Sequence, residues 1–575
     1  MLKSSTRRFA THPSVKSRFV APGTFLFCLW LTLGAASAQA EFFYVGAGMD
    51  CDSNTIAGGL FLAALNGPGT DTIIIANNQT YTAQKLFISN HSVILQGGFE
   101  DCNGTASTER TVISGAGGDN DVVIEYDGTG TASLTQFLTN LEIRGGEQGG
   151  VKVQGPNRLL LLNSIITNNM GPGITVDGET AQATIDNDSI VQLNQAAEGA
   201  GVHCRLGLVI NRGAVSDNQA AGHGGGIYLS ACHLVMNGAA GARVERNTAG
   251  GNGGGIYSLN ALVNLSGISA APVVVDGNEA DGHGGGIYMA VQDLVARNAY
   301  ITNNTSLGYG GGIYGTLGAS IRVDRKDECA DTERCSRLSG NVAEGSAGTS
   351  GGGAVALTAS SEALIYNTFV ENNRAGGLDW GGDGSVAHVG NNCTLKIAMS
   401  VLARNDGVEA LYLDTGAAEV EIYGVTTAEQ TVSGETNHWF FSARDSVPVA
   451  IKTSIVTDTV RPDTNGNLTV NGLLTTSAQG TLPAVMTNHV VGDPMFTDAA
   501  GGDYTPTAAS PAVDATTRVS SAFVFDDRDA FWRTRGFVVN DVSTRYDFGA
   551  LESRGPWVEI FSGGFESGDL TGWSP

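Results

Sequence analysis

The feature that most constrains the fold is a five-residue segment, Gly-Gly-Gly-Ile-Tyr, that occurs four times in the middle of the chain. Successive copies place their isoleucines 29, 31 and 26 residues apart, and each isoleucine follows an asparagine by nine residues. A period of this length predicts an array of stacked repeats. The isoleucines are Ile227, Ile256, Ile287 and Ile313, and the asparagines are Asn218, Asn247, Asn278 and Asn304.

The array extends beyond these four copies. Residues 351–355 read Gly-Gly-Gly-Ala-Val and form a degenerate fifth copy. The asparagine series continues with variable spacing upstream and downstream, at Asn169, Asn194, Asn341, Asn373 and Asn405.

The repeats predict an all-β fold, a right-handed parallel β-helix. Each unit consists of short β-branched and aliphatic runs, such as residues 159–166, separated by glycine and asparagine turns. Stacked as coils, such strands hydrogen-bond to the coils above and below, and crossover chirality favours right-handed winding. The isoleucines then form an inward column. The asparagines form a column at a turn, because they tolerate left-handed backbone and their amides can hydrogen-bond along the stack.

An open stack needs a cap, since exposed strand edges pair with other chains. Residues 56–65 have the apolar spacing of an amphipathic helix. We therefore predict a short capping helix across the first coil.

The first forty residues have the pattern of a secretory signal peptide. Five basic residues precede an apolar stretch at 25–33, and Ala38-Gln39-Ala40 supplies the small residues that signal peptidase requires. A membrane anchor would need about 20 uninterrupted apolar residues, and Pro22 and Gly23 interrupt this run. We expect cleavage before Glu41, no transmembrane helix in the mature chain, and a secreted or outer-surface location on a bacterium.

The charge balance excludes some partners. Cleavage removes five of 32 basic residues and none of 57 acidic ones, which takes the formal net charge from −25 to −30. Nucleic acids and anionic lipids need a basic surface, so we expect no nucleic-acid partner. We also expect a monomer, and a polysaccharide or cell-surface glycan as partner.

Seven cysteines remain after cleavage, in a compartment where disulfides persist. Two of them, 28 residues apart, are predicted to face each other on neighbouring coils, within disulfide reach. The predicted pairs are Cys51 with Cys102, Cys204 with Cys232, and Cys329 with Cys335, which leaves Cys393 free. None has the spacing of a zinc site, so we predict no metal and no cofactor; Ca²⁺ binding is an open alternative that no motif indicates.

The N-terminal runs at 71–75, 80–82 and 95–102 resemble the first coils of secreted bacterial proteins of the pectin lyase-like superfamily. The Gly-Gly-Gly-Ile and Asn repeats resemble those of polymorphic outer-membrane proteins, which are adhesin-like. These resemblances imply a β-helix with either a polysaccharide-degrading or an adhesive role.

Five ordered motifs near the C-terminus resemble the choice-of-anchor Q domain, which closes secreted bacterial β-helix proteins. The motifs lie at 492–496, 502–504, 510–514, 526–528 and 546–552. The resemblance implies surface placement more than an activity. We therefore divide the chain into a signal peptide (1–40), an N-terminal cap with the first coils (41–110), the β-helix (111–491), the closing region (492–553) and a tail (554–575).

The resemblance to polysaccharide lyases and hydrolases raises the question of a catalytic site. His223 and His283 stand in Gly-His-Gly segments like those of polygalacturonases, where clustered aspartates act as acid and base. No such aspartate cluster is found on the preceding coils, and the equivalent positions of other copies hold Asn252 and Tyr309. We therefore interpret both histidines as turn residues.

Lyases of this shape use Lys or Arg as base. The basic residues of the coils show no recurring column; they are Arg205, Arg212, Arg243, Arg246, Arg297, Arg322, Lys326 and Arg404. We leave the catalytic residues unassigned and favour a non-catalytic, glycan- or surface-binding protein, with a lyase or glycosidase acting on an acidic polysaccharide as the alternative.

One column of side chains keeps a functional interpretation. If the isoleucines face the core, the tyrosines that follow them face outward, about 4.8 Å apart along the stack. Such a column either binds sugar rings or only covers the sheet through neighbouring aromatic contacts. Nearby acidic turn residues (Asp217, Asp276, Asp281) are interpreted as solvated. The candidate ligand-binding residues are Tyr228, Tyr257, Tyr288 and Tyr314.

Overall fold

The computed structural model describes residues 40–512, 516–517 and 545–546. Gaps lie at 68, 120, 129, 131–132, 187, 238–240, 269, 325–335, 346–350, 377–383, 415, 431–438, 444–446, 458–466 and 477–485. The predicted signal peptide, Cys329, Cys335, Lys326, the motif at 526–528 and the tail lie outside the described residues.

The chain winds as a right-handed parallel β-helix, as the repeat predicts. One coil shows the plan: a strand at Ile227–Ser230, then Cys232–Asn237, then Arg243–Glu245. Each strand pairs in parallel with its counterparts in the coils before and after. We call the three stacks that result sheets 1, 2 and 3, in this order.

The strands of the three sheets form one 40-stranded, continuously hydrogen-bonded array. Sheet 1 contains Leu86–Ser89, Val122–Asp127, Gly149–Gln154, Ile227–Ser230, Ile256–Leu259, Ile287–Ala290, Ile313–Thr316, Val355–Leu357, Ala387–Val389, Glu409–Leu413 and Trp439–Ala443. Sheet 2 contains Phe42–Val45, Thr70–Ala76, Ser92–Phe99, Leu134–Thr139, Asn157–Leu162, Cys232–Asn237, Val263–Ser266, Asp293–Arg297, Ser320–Asp324, Glu362–Tyr366, Thr394–Ala398 and Glu419–Tyr423. Sheet 3 contains Thr111–Ser114, Leu141–Arg144, Ile165–Thr167, Ile190–Gln192, Ala214–Ser216, Arg243–Glu245, Val273–Asp276, Ala299–Thr302, Ser336–Ser339, Thr368–Glu371, Val401–Ala403 and Thr426–Ala428.

Some strands turn a corner between sheets, and a fourth stack is narrower. Ile174–Ile185 and Val202–Asn211 run from sheet 1 into sheet 2. Val449–Val456, Leu468–Thr475 and Met486–Val491 run from sheet 2 into sheet 3. What we call the short sheet contains Gln195–Ala196, Gln219–Ala220, Thr248–Ala249, Glu279–Ala280, Thr305–Ser306, Val342–Ala343 and Arg374–Ala375.

The interior is built from columns of identical residues, as expected. Ile227, Ile256, Ile287 and Ile313 are in register in adjacent coils and fully buried. Burying an aliphatic side chain contributes about 1.5–3 kcal/mol, so each coil adds its share only when its neighbours cover it.

The predicted asparagine column is a continuous hydrogen-bonded ladder. Each side-chain amide donates to the Oδ1 of the asparagine in the next coil, at 2.9–3.0 Å from Asn169 to Asn405. We expected the asparagine of this column to have the left-handed backbone, but the structure shows it at the residue before, with φ of 56° at Asp217 and 53° at Arg246. The bend one residue earlier lets the asparagine itself point inward, where it is buried.

The three glycines of the repeat are required for two different reasons. The first has a left-handed backbone, with φ of 67° at Gly224, which glycine adopts without strain. The third lies against the next coil: a Cβ on Gly226 would come within 2.7 Å of the Gly255 carbonyl oxygen. The triplet therefore allows both a bend and a close approach of coils.

The N-terminal cap is a helix, as predicted. It spans Ile56–Asn66, and the Thr55 side chain caps it by accepting a hydrogen bond from the Gly58 N–H, an interaction worth about 1 kcal/mol. The helix buries Ile56 and Ala63 against the first coils.

Two of the predicted disulfides are present. Cys51 bonds to Cys102 beside the cap, and Cys204 bonds to Cys232 between neighbouring coils. The second pair does not lie at one azimuth as expected, because Cys204 is in register with Leu229 and the bond crosses the corner between sheets 1 and 2. Cys393 is buried and forms no disulfide within the described residues.

The first part of the predicted closing region packs on the outside of sheet 3. The antiparallel hairpin Phe496–Asp498 and Asp503–Pro506 buries Tyr504 against Val401 and Ala403. The Tyr504 hydroxyl donates to Glu429 at 3.0 Å. A two-residue pairing, Thr516–Thr517 with Arg545–Tyr546, follows. Within the described part of the chain, no helix has the length and hydropathy needed to cross a membrane.

Candidate functional site

The four predicted tyrosines form a stack on the outer side of sheet 1. They are directly in register in consecutive coils. Their ring centroids are 5.1, 4.8 and 5.3 Å apart, with interplanar angles of 9°, 12° and 29°. The spacing follows from the distance between coils. The structure thus brings together Tyr228, Tyr257, Tyr288 and Tyr314.

The stack is longer than the four tyrosines. His203 precedes it, in register with Tyr228 and 4.9 Å from that ring. At the other end, the residue in register with Tyr314 in the next coil is Ala356, which has no ring. The ring of Tyr309, a turn residue, lies between those of Tyr314 and His388 instead. The last ring is that of Tyr412, which stacks on His388 at 5.2 Å. We call these eight rings the aromatic ladder.

The two histidines of the Gly-His-Gly segments have a structural role. His223 Nδ1 accepts a hydrogen bond from the Asn252 N–H at 2.9 Å, and His283 Nδ1 accepts from the Tyr309 N–H at 3.0 Å. In the coil between them Asn252 Oδ1 accepts from the His283 N–H at 2.8 Å. The position therefore needs an acceptor toward the next coil, which histidine and asparagine both supply.

The same imidazoles cover part of the ladder. His223 stacks on Tyr257 and His283 on Tyr314, both at 4.7 Å. These two tyrosines are only 9% and 8% exposed, whereas Tyr228 and Tyr288 are half-buried. Since each ring covers the face of the next, the half-buried rings of the ladder present edges to the outside; these are His203, Tyr228, Tyr288 and Tyr309. The expected open platform of ring faces is therefore not what the stack offers.

The environment of the ladder is apolar. Burial raises the pKa of Tyr288 to about 12, and the neighbouring tyrosines add to this effect. Burial also raises the pKa of Tyr228 and Tyr257, with a contribution from the Glu198 carboxylate. The hydroxyls of these three tyrosines can donate hydrogen bonds.

A cleft of about 540 Å³ opens at the His203 end of the ladder, within the range of about 300–1,000 Å³ that is typical of ligand sites. His203 and Glu198 supply the polar groups, and apolar residues and glycines form the rest. The lining residues are Met170, Gly171, Pro172, Ala196, Ala197, Glu198, His203, Ala221 and Gly222.

Turn length explains why the cleft lies here. The segment from the ladder asparagine to the glycine before the sheet 1 strand spans four residues after Asn169, seven after Asn194 and eight after Asn218. The coil of Asn169 also contributes no strand to the short sheet, which begins at Gln195–Ala196. The longer turns overhang the shorter one, and the step between them is the cleft.

The sequence interpretation missed His203 and Glu198. A signal for His203 exists, because residues 199–203 read Gly-Ala-Gly-Val-His and align in register with residues 224–228. The same degenerate repeat at 384–388 ends in His388. Glu198 lies in a turn of variable length, where the repeat carries no information.

The basic residues of the coils form ion pairs and hydrogen bonds, most of them between neighbouring coils and two, Arg322 with Asp324 and Arg243 with Glu245, within one strand. Arg205 binds Asp177 through both carboxylate oxygens, and Arg246 binds Asp217 in the same way. Arg297 and Arg322 both contact Asp324. Further contacts join Arg404 to Glu371, Arg243 to Glu245 and Arg212 to Asn237.

The acidic turn residues do not cluster. Asp276 accepts hydrogen bonds from Thr302 and Asn303. Among the residues with described positions, no group of three or more His, Cys, Asp or Glu side chains is arranged to hold a metal ion.

Comparison with known proteins supports the fold. A family described as "Right handed beta helix region" matches residues 122–267, which include the cleft and three of the eight rings of the ladder. Curated proteins give no match. Fold and family match together define the class of the chain, a right-handed parallel β-helix protein.

Proposed function

We propose that the chain is an exported β-helix protein, secreted or held on the outer surface of a bacterium, that binds glycans or other surfaces without catalysis, in the manner of an adhesin. The observation that carries the proposal is the aromatic ladder that ends in a cleft. Ring edges and phenol hydroxyls in one row can exchange hydrogen bonds with the hydroxyl groups of a polymer.

The geometry suggests how a glycan chain would bind. The edges and hydroxyls of Tyr228 and Tyr288 would face the sugar hydroxyls, while Tyr257 and Tyr314 support them from within the stack. Thr175 is in register with His203 in the preceding coil, so no ring of the described part of that coil covers His203 on its cleft side. A terminal sugar would therefore contact His203 in the cleft.

A polysaccharide lyase or glycosidase is the second candidate, and the observation in its favour is a carboxylate and an imidazole in one cleft. A lyase acting on an acidic polysaccharide also needs free basic groups for the uronate. Arg205, the nearest arginine along the chain, is bound to Asp177. The ladder therefore supports binding better than it supports this chemistry.

Binding to immobilised glycans, measured with the mature chain, tests the proposal. Tyr228→Phe together with Tyr288→Phe removes two outward hydroxyls but keeps the stack, so weaker binding with unchanged thermal unfolding is expected. Tyr366→Phe, on the outer side of sheet 2, is the matched control. Equal binding by all three proteins would remove the ladder from the site.

Activity is measured separately. The chain is incubated with acidic and neutral polysaccharides, and products are followed by absorbance at 235 nm and by reducing ends. We expect no turnover. Turnover that is lost in Glu198→Gln would overturn the non-catalytic proposal in favour of the second candidate.

A further inference from the structure

We propose that the cleft at the end of the ladder binds a sugar that carries a free amino group. The inference rests on the proposed function, since it names the chemistry of the sugar that occupies the cleft. It starts from Glu198, the single charged side chain in the cleft lining.

The surroundings of Glu198 differ from those of several acidic residues on nearby coils. Asp177, Asp217 and Glu125 each form an ion pair with a basic side chain of the adjacent coil. Within the described part of the structure, the Glu198 carboxylate forms neither an ion pair nor a side-chain hydrogen bond. Gly222 of the next coil lies beside it, since a Cβ built on Gly222 would be 3.9 Å from Glu198 Oε1, and glycine has no side chain to offer.

This carboxylate lies at the start of the aromatic ladder, because Glu198 and His203 line the same cleft. It lies close enough to contribute to the raised pKa of Tyr228 and Tyr257. Burial lowers the pKa of His203, against the opposing effect of Glu198. A neutral imidazole and a carboxylate therefore face the same cleft, which gives it a net negative charge at neutral pH.

This charge selects the ligand. A uronic acid would be repelled, whereas a protonated amine gains a charge-assisted hydrogen bond. A lone carboxylate cannot provide the six to eight oxygen ligands of Ca²⁺. The apolar wall of Met170, Pro172 and Ala196 suits the C–H face of a hexose, and the His203 ring edge suits a hydroxyl. An amino sugar satisfies all of these groups.

The test compares three oligosaccharides of equal length and linkage by calorimetry: the β-1,4-linked hexamers of glucosamine, of N-acetylglucosamine and of glucose. The glucosamine hexamer is expected to bind at least about tenfold more tightly than either neutral hexamer, with a preference that weakens as salt rises. Glu198→Gln is expected to abolish this preference.

The control is Glu279→Gln, which removes the same charge from an exposed position of the short sheet three coils away. It should bind like the parent chain. Equal affinity for all three hexamers, or an unchanged preference in Glu198→Gln, would overturn the inference. Tight binding of a lysine hexapeptide at Glu198 would also overturn it, because the cleft would then recognise amines without the sugar.

The outcomes for the two proposals are distinguishable. Binding of the neutral hexamers alone would disprove the amino-sugar inference and leave the glycan-binding proposal standing. Failure of every immobilised glycan and every hexamer to bind would disprove both.

Discussion

The side-chain amide of Asn247 donates to Asn278 Oδ1 at 3.0 Å, and the backbone N–H of Asn247 donates to the same oxygen at 3.0 Å. One oxygen thus satisfies two buried donors of the previous coil. The Asn278 amide in turn donates to the Val244 carbonyl and to Asn304. Each asparagine therefore fixes the distance and register between three coils.

Replacing one ladder asparagine should be costly. Asn278→Ala leaves two buried donors of Asn247 without an acceptor, and each orphaned group costs roughly 1–3 kcal/mol. We expect the free energy of unfolding to fall by at least about 2 kcal/mol in urea denaturation, with faster hydrogen exchange at the Asn247 N–H. Asn264→Ala, on the outer side of sheet 2, should change stability by less than about 0.5 kcal/mol. Similar losses for both variants would argue against a stabilising role of the asparagine column.

Two glycine substitutions distinguish a steric requirement for glycine from a conformational one. Gly255→Ala would place a Cβ within 2.7 Å of the Gly286 carbonyl oxygen, whereas Gly318→Ala meets open space but has a φ of 79°. Overpacking costs about 1–3 kcal/mol or more, and left-handed backbone about 1–2 kcal/mol. We expect thermal denaturation to show the larger loss for Gly255→Ala. The reverse order would mean that the coils separate easily.

The disulfide between coils should stabilise the middle of the stack. Cys204 and Cys232 are 28 residues apart, and closing a loop of this length stabilises by about 3–4 kcal/mol in the chain-entropy description. The double variant Cys204→Ala, Cys232→Ala should lose about this much in urea denaturation, and reductant, which also opens Cys51–Cys102, should lower the parent chain at least as far. A variant as stable as the oxidised parent would show that the hydrogen bonds and packing between coils hold this corner without the disulfide.

Acidification should weaken the turn that carries the imidazoles. Burial lowers the pKa of His283 below its ordinary 6.5, so the unfolded chain takes up a proton more readily than the folded one. Stability is then complete above about pH 6.5 and is lost as the pH falls through the lower, folded pKa. Protonation of Nδ1 also removes the acceptor for the Tyr309 N–H.

Denaturation curves from pH 8 to pH 4 measure this effect. His283→Asn supplies the acceptor that Asn252 provides one coil earlier, without a titrating group. It should match the parent at pH 8 and lose less stability on acidification. An identical pH profile in the variant would assign the acid sensitivity to other groups.

Much of the fold could be predicted because periodicity reports on the environment. Ile227 and Tyr228 recur because one faces the core and the other the outside in every coil, so the winding, the inward column and the aromatic stack follow from spacing. The cap followed from apolar spacing at 56–65, and the pairing of Cys204 with Cys232 from the repeat length. The signal peptide, the closing region and the role of the tyrosines stay predictions.

The cleft could not be predicted for the same reason. It exists where the period fails, at the change from a four-residue to a seven-residue turn after Asn169 and Asn194. Glu198 is one of the residues that lengthen this turn. That its carboxylate has no ion-pair partner among the described residues depends on the packing between coils. The covering of Tyr257 by His223 was also missed. Alternation along a strand predicts that the Tyr257 side chain faces outward, but it does not predict which side chain of a neighbouring turn packs on the ring.

The column of hydrogen-bonded asparagines ends at a glutamine. The Asn405 N–H donates to Gln430 Oε1 at 2.9 Å, and the Gln430 amide reaches the Leu402 carbonyl. From Asn194 to Asn373 every asparagine makes the same contacts, so a whole coil can be inserted or removed there without creating an unmatched group. Duplication of a gene segment of one period would therefore lengthen the aromatic row by one ring, and the reach of the molecule along a polymer can evolve in whole steps.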